Sequence, residues 1–376
     1  MRYISTRGKS PKLNFDQVVL TGLATDNGLY LPESWPCFNK REILGFQNCS
    51  YSEIVYRTVL PFMGDSIPKK IFRRIINKSY KKFRHEEIAP LFKIEKDLWM
   101  MELFHGPSLA FKDFALQLLG GIFDYLLKKK SERITILGAT SGDTGSAAIE
   151  ACKDKDMMDI FILHPHKRIT KIQRKQMTTV DSPNVFNIAI KGSFDDCQDL
   201  VKKLFSDTDL GRQKKLSSIN SINWARIIGQ IPYYFYATAK LNLLDSGISF
   251  CVPSGNFGNL TGGIIAKHMG LPVEKFIAAT NANDVFPKYL ETGEFNGMPS
   301  KQTISNAMDV GRPSNFDRIL KIYNENVNEV RRDLISWSFQ DDETKYAIQY
   351  TKDKLNYLTD PHTAVGLSGI EKYRQE

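Results

Sequence analysis

Hydrophobic residues recur along this chain with two different periods, and the change between them falls near residue 98. Before it the spacing is helical. Phe15-Asp16-Gln17-Val18-Val19-Leu20 reads as a short helix, and residues 51–62 set Ile54, Val55, Val59 and Leu60 close to one face. Residues 68–83 form a third helical stretch, strongly basic. Between the first two helices, Asn27-Gly28 marks a turn into a brief extended piece that ends at Pro32. Residues 1–95 are expected to form a mostly helical N-terminal region.

From residue 98 short apolar runs alternate with longer amphipathic ones. Strands are expected at 98–104, 133–137, 159–163, 185–190, 249–252 and 275–280, with helices at 114–127, 145–153, 170–177 and 194–205. Such alternation predicts an α/β fold of mostly parallel sheets flanked by helices. At 376 residues the chain exceeds what one core usually serves, so two lobes are expected. Residues 96–130 and 215–376 are assigned to a large lobe, and residues 131–214 to a small α/β lobe.

A hydrophobic share of 42% and a charged share of 25% are ordinary for a globular chain. No apolar run has the length to span a bilayer, and Met1-Arg2-Tyr3-Ile4-Ser5-Thr6-Arg7-Gly8 lacks a secretory core. A cytoplasmic protein without a membrane partner is expected. The net charge of +9 is scattered among acidic residues, which argues against nucleic acid and suits a small phosphorylated ligand. The 5 cysteines form no Cys-x-x-Cys pair, and His164 with His166 finds no third ligand, so no metal site is expected.

Three stretches carry candidate chemistry. In Phe111-Lys112-Asp113-Phe114 a lysine stands between two phenylalanines just after a Gly-Pro turn. A lysine held out of water keeps more of the neutral amine that attacks a carbonyl, as a Schiff base with pyridoxal phosphate requires. The plain alternative is a lysine stem lying along an apolar surface with its head in water. Gly138-Ala139-Thr140-Ser141-Gly142-Asp143-Thr144-Gly145-Ser146 leaves a strand and opens a helix, where backbone N–H groups and the Ser141 and Thr144 hydroxyls suit an anion. It has neither the Walker order nor that of a dinucleotide loop. Pro253-Ser254-Gly255-Asn256-Phe257-Gly258-Asn259 repeats the arrangement after a second strand. For each loop a structural turn with N-capping residues is the alternative. Taken together, the three meet separate requirements of one cofactor: an aldehyde, a phosphate and a substrate carboxylate.

The sequence resembles the threonine synthase family, in the branch found in many bacteria and fungi. The resemblance rests on Phe104-His105-Gly106-Pro107-Ser108-Leu109-Ala110-Phe111-Lys112-Asp113-Phe114, on Ala139-Thr140-Ser141-Gly142-Asp143-Thr144-Gly145 and on Pro253-Ser254-Gly255-Asn256-Phe257-Gly258. Asn220-Ser221-Ile222-Asn223-Trp224-Ala225-Arg226, Ala278-Ala279-Thr280-Asn281, Ser305-Asn306-Ala307-Met308-Asp309-Val310 and Asp360-Pro361-His362-Thr363-Ala364-Val365-Gly366 agree with it. It spans nearly the whole chain in order.

The resemblance implies a fold-type II pyridoxal 5'-phosphate enzyme, tryptophan synthase β-like, in which the large lobe binds the cofactor. The implied reaction converts O-phospho-L-homoserine and water into L-threonine and phosphate. Lys112 would bind the cofactor's aldehyde and, once released, move protons at the substrate's α and β carbons. Gly255, Asn256, Phe257, Gly258 and Asn259 would hold the cofactor phosphate. Ser141, Gly142, Asp143 and Thr144 would hold the substrate carboxylate or the ring hydroxyl. At a helix start, Asn223 and Arg226 are further candidates for substrate, the guanidinium for the leaving phosphate, with a surface ion pair as the alternative. His105 is expected either to touch substrate or to order its turn. The family continues beyond the Asp-Pro-His-Thr-Ala-Val segment to a Thr-Ala-His-Pro motif that faces the pyridine nitrogen, whereas this sequence stops at Glu376, as expected either of a truncated sequence or of an abbreviated C-terminal lobe. A monomer or homodimer is expected. The rival readings are a relative that eliminates phosphate to give a 2-oxo acid and ammonia, and a non-catalytic phosphate-binding protein.

Overall fold

A 19-residue helix, Lys112–Lys130, anchors the first of two units into which the chain divides. Phe114, Leu116, Leu118, Leu119, Ile122, Phe123, Leu126 and Leu127 are all buried, because this helix is enclosed on several sides rather than along one stripe. Gly120 and Gly121 allow the enclosure. A Cβ on Gly120 would lie 2.3 Å from the Ala151 carbonyl oxygen of helix Asp143–Cys152, and one on Gly121 would lie 2.6 Å from Ile75 Cγ2 of helix Lys69–Tyr80. Ser131 then stops the helix in the left-handed conformation.

The computed structural model describes residues 1–140, 142–206, 215–245 and 247–376. Its first unit comprises Met1–Pro36, Cys49–Pro90 and Glu102–Pro232. Here strands β1 (Tyr3–Ser5) and β2 (Tyr30–Pro32) pair antiparallel. Strands β5 (Ile134–Ala139), β6 (Met158–Pro165), β7 (Val185–Ile190) and β8 (Leu216–Ser217) form a parallel sheet in the order β7-β6-β5-β8. Leu137 and Leu163 of this sheet pack against Cys197 and Val201 of helix Phe194–Ser206.

The second unit comprises Cys37–Asn48, Leu91–Met101 and Tyr233–Glu376. Its sheet is parallel, with order β11-β10-β9 for β9 (Ile248–Pro253), β10 (Val273–Thr280) and β11 (Leu334–Ser338). Helix Pro361–Gln375, capped by the Asp360 side chain, lies on this sheet where Gly366 and Gly369 leave no side chain in the way. Added Cβ atoms there would come 2.8 Å from Pro253 Cγ and 3.0 Å from Ala279 Cβ.

Two expectations are corrected. The strand expected over 98–104 ends at Met101, where β4 (Leu98–Met101) closes an antiparallel hairpin with β3 (Leu91–Glu95). The hairpin turns at Asp97, which has a positive φ of 60°. The division into 1–95, 96–130 with 215–376, and 131–214 also differs from the observed one. Most of the N-terminal region and the Lys112–Lys130 helix belong with the sheet of residues 134–217, because that helix packs on both Lys69–Tyr80 and Asp143–Cys152. No helix among the described residues is long and apolar enough to cross a membrane.

Candidate active site

Lys112 opens its helix directly after the 106–111 turn. The next residue holds that turn in place. Asp113 is fully buried and accepts hydrogen bonds from the Ser108 N–H at 2.8 Å and the Ser108 hydroxyl at 2.9 Å. A Cβ on Gly106 would fall 2.5 Å from the Asp113 Cβ, so the turn closes only over glycine. Burial raises the Asp113 carboxyl to about 6 against the opposing pull of the Ser108 hydrogen bonds.

The Lys112 side chain is 15% exposed, and its amine is not in the apolar setting expected. Its Nζ donates to Asp143 Oδ2 at 2.7 Å, Asp143 Oδ1 at 2.8 Å and Thr144 Oγ1 at 2.7 Å. The Phe111 ring centroid is 5.8 Å away. Tertiary folding thus gives the amine a carboxylate partner from 31 residues further on.

The loop that supplies this partner is hydrogen-bonded within itself. Thr140 Oγ1 accepts from the N–H groups of Gly142 at 3.0 Å and Gly145 at 2.8 Å, and Asp143 Oδ1 accepts from the Thr144 N–H at 2.8 Å. Three of the backbone donors offered to a ligand are therefore used within the loop. Asp143, expected to face the substrate carboxylate or the ring hydroxyl, turns its own carboxylate to Lys112. Gly142 has a φ of 149° and lies against Gln173, whose Oε1 would be 2.2 Å from an added Cβ. Ser141 lies outside the described residues.

The second glycine loop belongs to the other unit. Phe257 sits at the head of helix Gly258–His268 in the left-handed conformation, and no side chain caps that helix. Its first N–H groups thus remain for an anion at the positive end of the helix dipole. Gly255 is pressed against Met308, so that a Cβ would come 2.6 Å from Met308 Cα and 3.0 Å from its carbonyl oxygen. The Asn256 side chain accepts from the Ser314 N–H, and its carbonyl accepts from Asn315 Nδ2 at 3.0 Å. Asn259 accepts from the Tyr234 hydroxyl through both its carbonyl and its side chain, at 2.9 and 3.0 Å. The two asparagines fasten the loop, and a phosphate fits the uncapped helix start between them in sequence.

Asn223 has a structural part in the fold. It is fully buried, caps helix Trp224–Ile228 at the Ala225 N–H and donates to the carbonyls of Val19 at 2.8 Å and Ser218 at 3.3 Å. Arg226 is likewise buried and donates through Nη1 to the Ile219 carbonyl at 2.9 Å. Both side chains order the segment around residues 218–226. His105 pairs with Glu102 at 2.8 Å. Thr140 and Ser108 went unassigned in the sequence although both lie inside the quoted motifs; a hydroxyl two residues before a glycine at a strand end is the signal that marks Thr140.

Two parallel sheets, a lysine at a helix start and a glycine-bounded, uncapped helix define a class, the fold-type II pyridoxal-phosphate-dependent enzymes. A family profile described as "Pyridoxal-phosphate dependent enzyme" matches residues 83–376, and one described as "Threonine synthase N terminus" matches residues 2–80. A threonine synthase of Pseudomonas aeruginosa is 42% identical over all of this chain and 85% of its own length. The pyridoxal-phosphate-bound threonine synthase of Brucella melitensis superposes with a TM-score of 0.96 at 41% identity, over 99% of this chain and 85% of that one. The yeast threonine synthase structure gives a TM-score of 0.94 at 35% identity, over 100% and 84%. The chain belongs to the threonine synthase family.

Proposed function

We infer that the protein converts O-phospho-L-homoserine and water into L-threonine and phosphate, with pyridoxal 5'-phosphate as its cofactor. The observation that carries this reading to particular residues is the Lys112 amine, drawn in from solvent onto Asp143 and Thr144 at the mouth of a strand-to-helix loop. In this proposal Lys112 takes the cofactor's aldehyde, and Gly255, Asn256, Phe257, Gly258 and Asn259 take its phosphate. The uncapped start of Gly258–His268 supports the second assignment.

When bound, the cofactor's ring withdraws electrons from the substrate's α carbon, so that protons there and on the β carbon become removable. Lys112 Nζ takes and returns these protons. Asp143 and Thr144 hold the amine between transfers, the carboxylate and the hydroxyl together fixing its direction. Asp113, through Ser108, fixes the turn from which Lys112 projects. Loss of the γ-phosphate and addition of water at the β carbon complete the balance: one phosphate out, one water in.

The test is product analysis of the purified holoenzyme with O-phospho-L-homoserine. Threonine and phosphate in equal amounts are expected. Release of 2-oxobutyrate and ammonia in place of threonine would overturn the reading in favour of an eliminating lyase that does not add water.

A further inference from the structure

We propose that His362 is a positioning residue for the cofactor's phosphate, acting through residues 303–309 on Gly255; the proposal rests on the assignment of that phosphate to 255–259. Residues 278–281, 305–310 and 360–366 have no part in the chemistry above, and in the second unit they meet behind the phosphate loop. Gly255 rests on the backbone of Met308, which allows it no Cβ. Where Met308 sits therefore decides where Gly255 sits.

Two sets of hydrogen bonds fix Met308. On one side, Asn281 Nδ2 at the end of β10 donates to Thr303 Oγ1 at 2.8 Å, Asp309 Oδ1 at 2.9 Å and Ser305 Oγ at 3.1 Å. Asp309 Oδ2 accepts from the Thr303 N–H at 3.0 Å, which closes the loop on itself. Asn281, Thr303 and Ser305 are buried, so this network is rigid and costly to break. On the other side, the Ala307 N–H, one residue before Met308, donates to His362 Nε2 at 3.2 Å.

The imidazole is itself oriented. His362 Nδ1 lies 2.9 Å from Asp360 Oδ1, an acceptor, so the ring proton sits on Nδ1 and leaves Nε2 free to accept. Asp360 also receives the His362 and Thr363 N–H groups and so caps the helix that carries the ring. That helix is seated on β9 and β10 through Gly366 and Gly369. His362 thus transmits a position fixed by the sheet to the turn on which the phosphate loop leans.

The experiment compares the affinity of the full chain, freed of cofactor, for pyridoxal 5'-phosphate and for pyridoxal, which lacks the phosphate. Absorbance titrations are made on the wild type, His362→Ala and His362→Gln. His362→Ala is expected to lose about tenfold in affinity for pyridoxal phosphate, the worth of one well-placed hydrogen bond, with little change for pyridoxal. His362→Gln, whose amide oxygen can accept from Ala307, is expected to recover most of that loss. Melting temperatures taken alongside confirm that each variant is folded. An unchanged ratio of the two affinities in His362→Ala, or an equal loss for both ligands, would overturn the role of His362 alone. A wild type that binds the two ligands equally would overturn the phosphate assignment and this proposal with it.

Discussion

Asp113 gives the sharpest quantitative prediction, since its carboxyl is enclosed while its job is to hold the lysine's turn. Burial places its pKa at about 6 in the folded chain, against 3.8 for the free side chain. At 1.4 kcal/mol for each tenfold change in proton affinity, an ionised Asp113 costs the native state about 3 kcal/mol. The sign follows from the direction. The folded chain binds this proton more tightly than the unfolded chain, so the cost is absent below the unfolded value, grows as pH rises between the two values and is complete above the folded one. Asp113→Asn removes the titration but keeps one acceptor for Ser108. Relative to that variant, the wild type should lose about 2 kcal/mol of unfolding free energy between pH 4.5 and pH 7.5, most of the full cost. Urea unfolding of both proteins across that range measures the difference directly and cancels the other titrating groups. A difference independent of pH, or one that grows in favour of the wild type as pH rises, would refute the reasoning.

Two further substitutions separate chemistry from packing. Lys112→Arg retains a cation for Asp143, but a guanidinium cannot bind the cofactor's aldehyde; turnover and visible absorbance should vanish while circular dichroism is unchanged, and residual turnover would remove Lys112 from its role. Gly120→Ala gains helix propensity of about 1 kcal/mol yet drives a methyl against the Ala151 carbonyl carbon and oxygen, for which overpacking costs about 1–3 kcal/mol. The melting temperature should therefore fall, whereas a rise would show that the two helices part freely.

Much of this architecture was legible in the sequence because local signals and packing agree. The helices Phe15–Thr21, Tyr51–Met63 and Lys69–Tyr80 follow their apolar spacing, and Asn14 and Ser50 cap the first two as their side chains allow. Among the parallel strands, β5, β6, β7, β9 and β10 lie where short apolar runs placed them, whereas β8 and β11 carried no run that was read as a strand. What was not legible is tertiary. The apolar run through Phe104 hid the end of β4 at Met101, because periodicity cannot show where a hairpin's partner stops. The grouping of Lys112–Lys130 with the first unit depends on two glycines that admit neighbouring helices, which no spacing reveals. At the site, the motifs were correctly placed on strand-to-helix loops, but their internal hydrogen bonds were invisible. Thr140 takes donors that looked available for a ligand, and Asp143 takes the lysine. The main-chain carbonyls to which Asn223 and Arg226 donate were equally invisible, because they come together with these side chains only in the folded chain.

The central claim is that Lys112 is the residue joined to the cofactor. Reduction of the holoenzyme with borohydride, followed by proteolysis and mass spectrometry, tests it most directly. The account predicts a phosphopyridoxyl group on the peptide containing Phe111-Lys112-Asp113 and on no other. A label on a different lysine, with Lys112 unmodified, would contradict it.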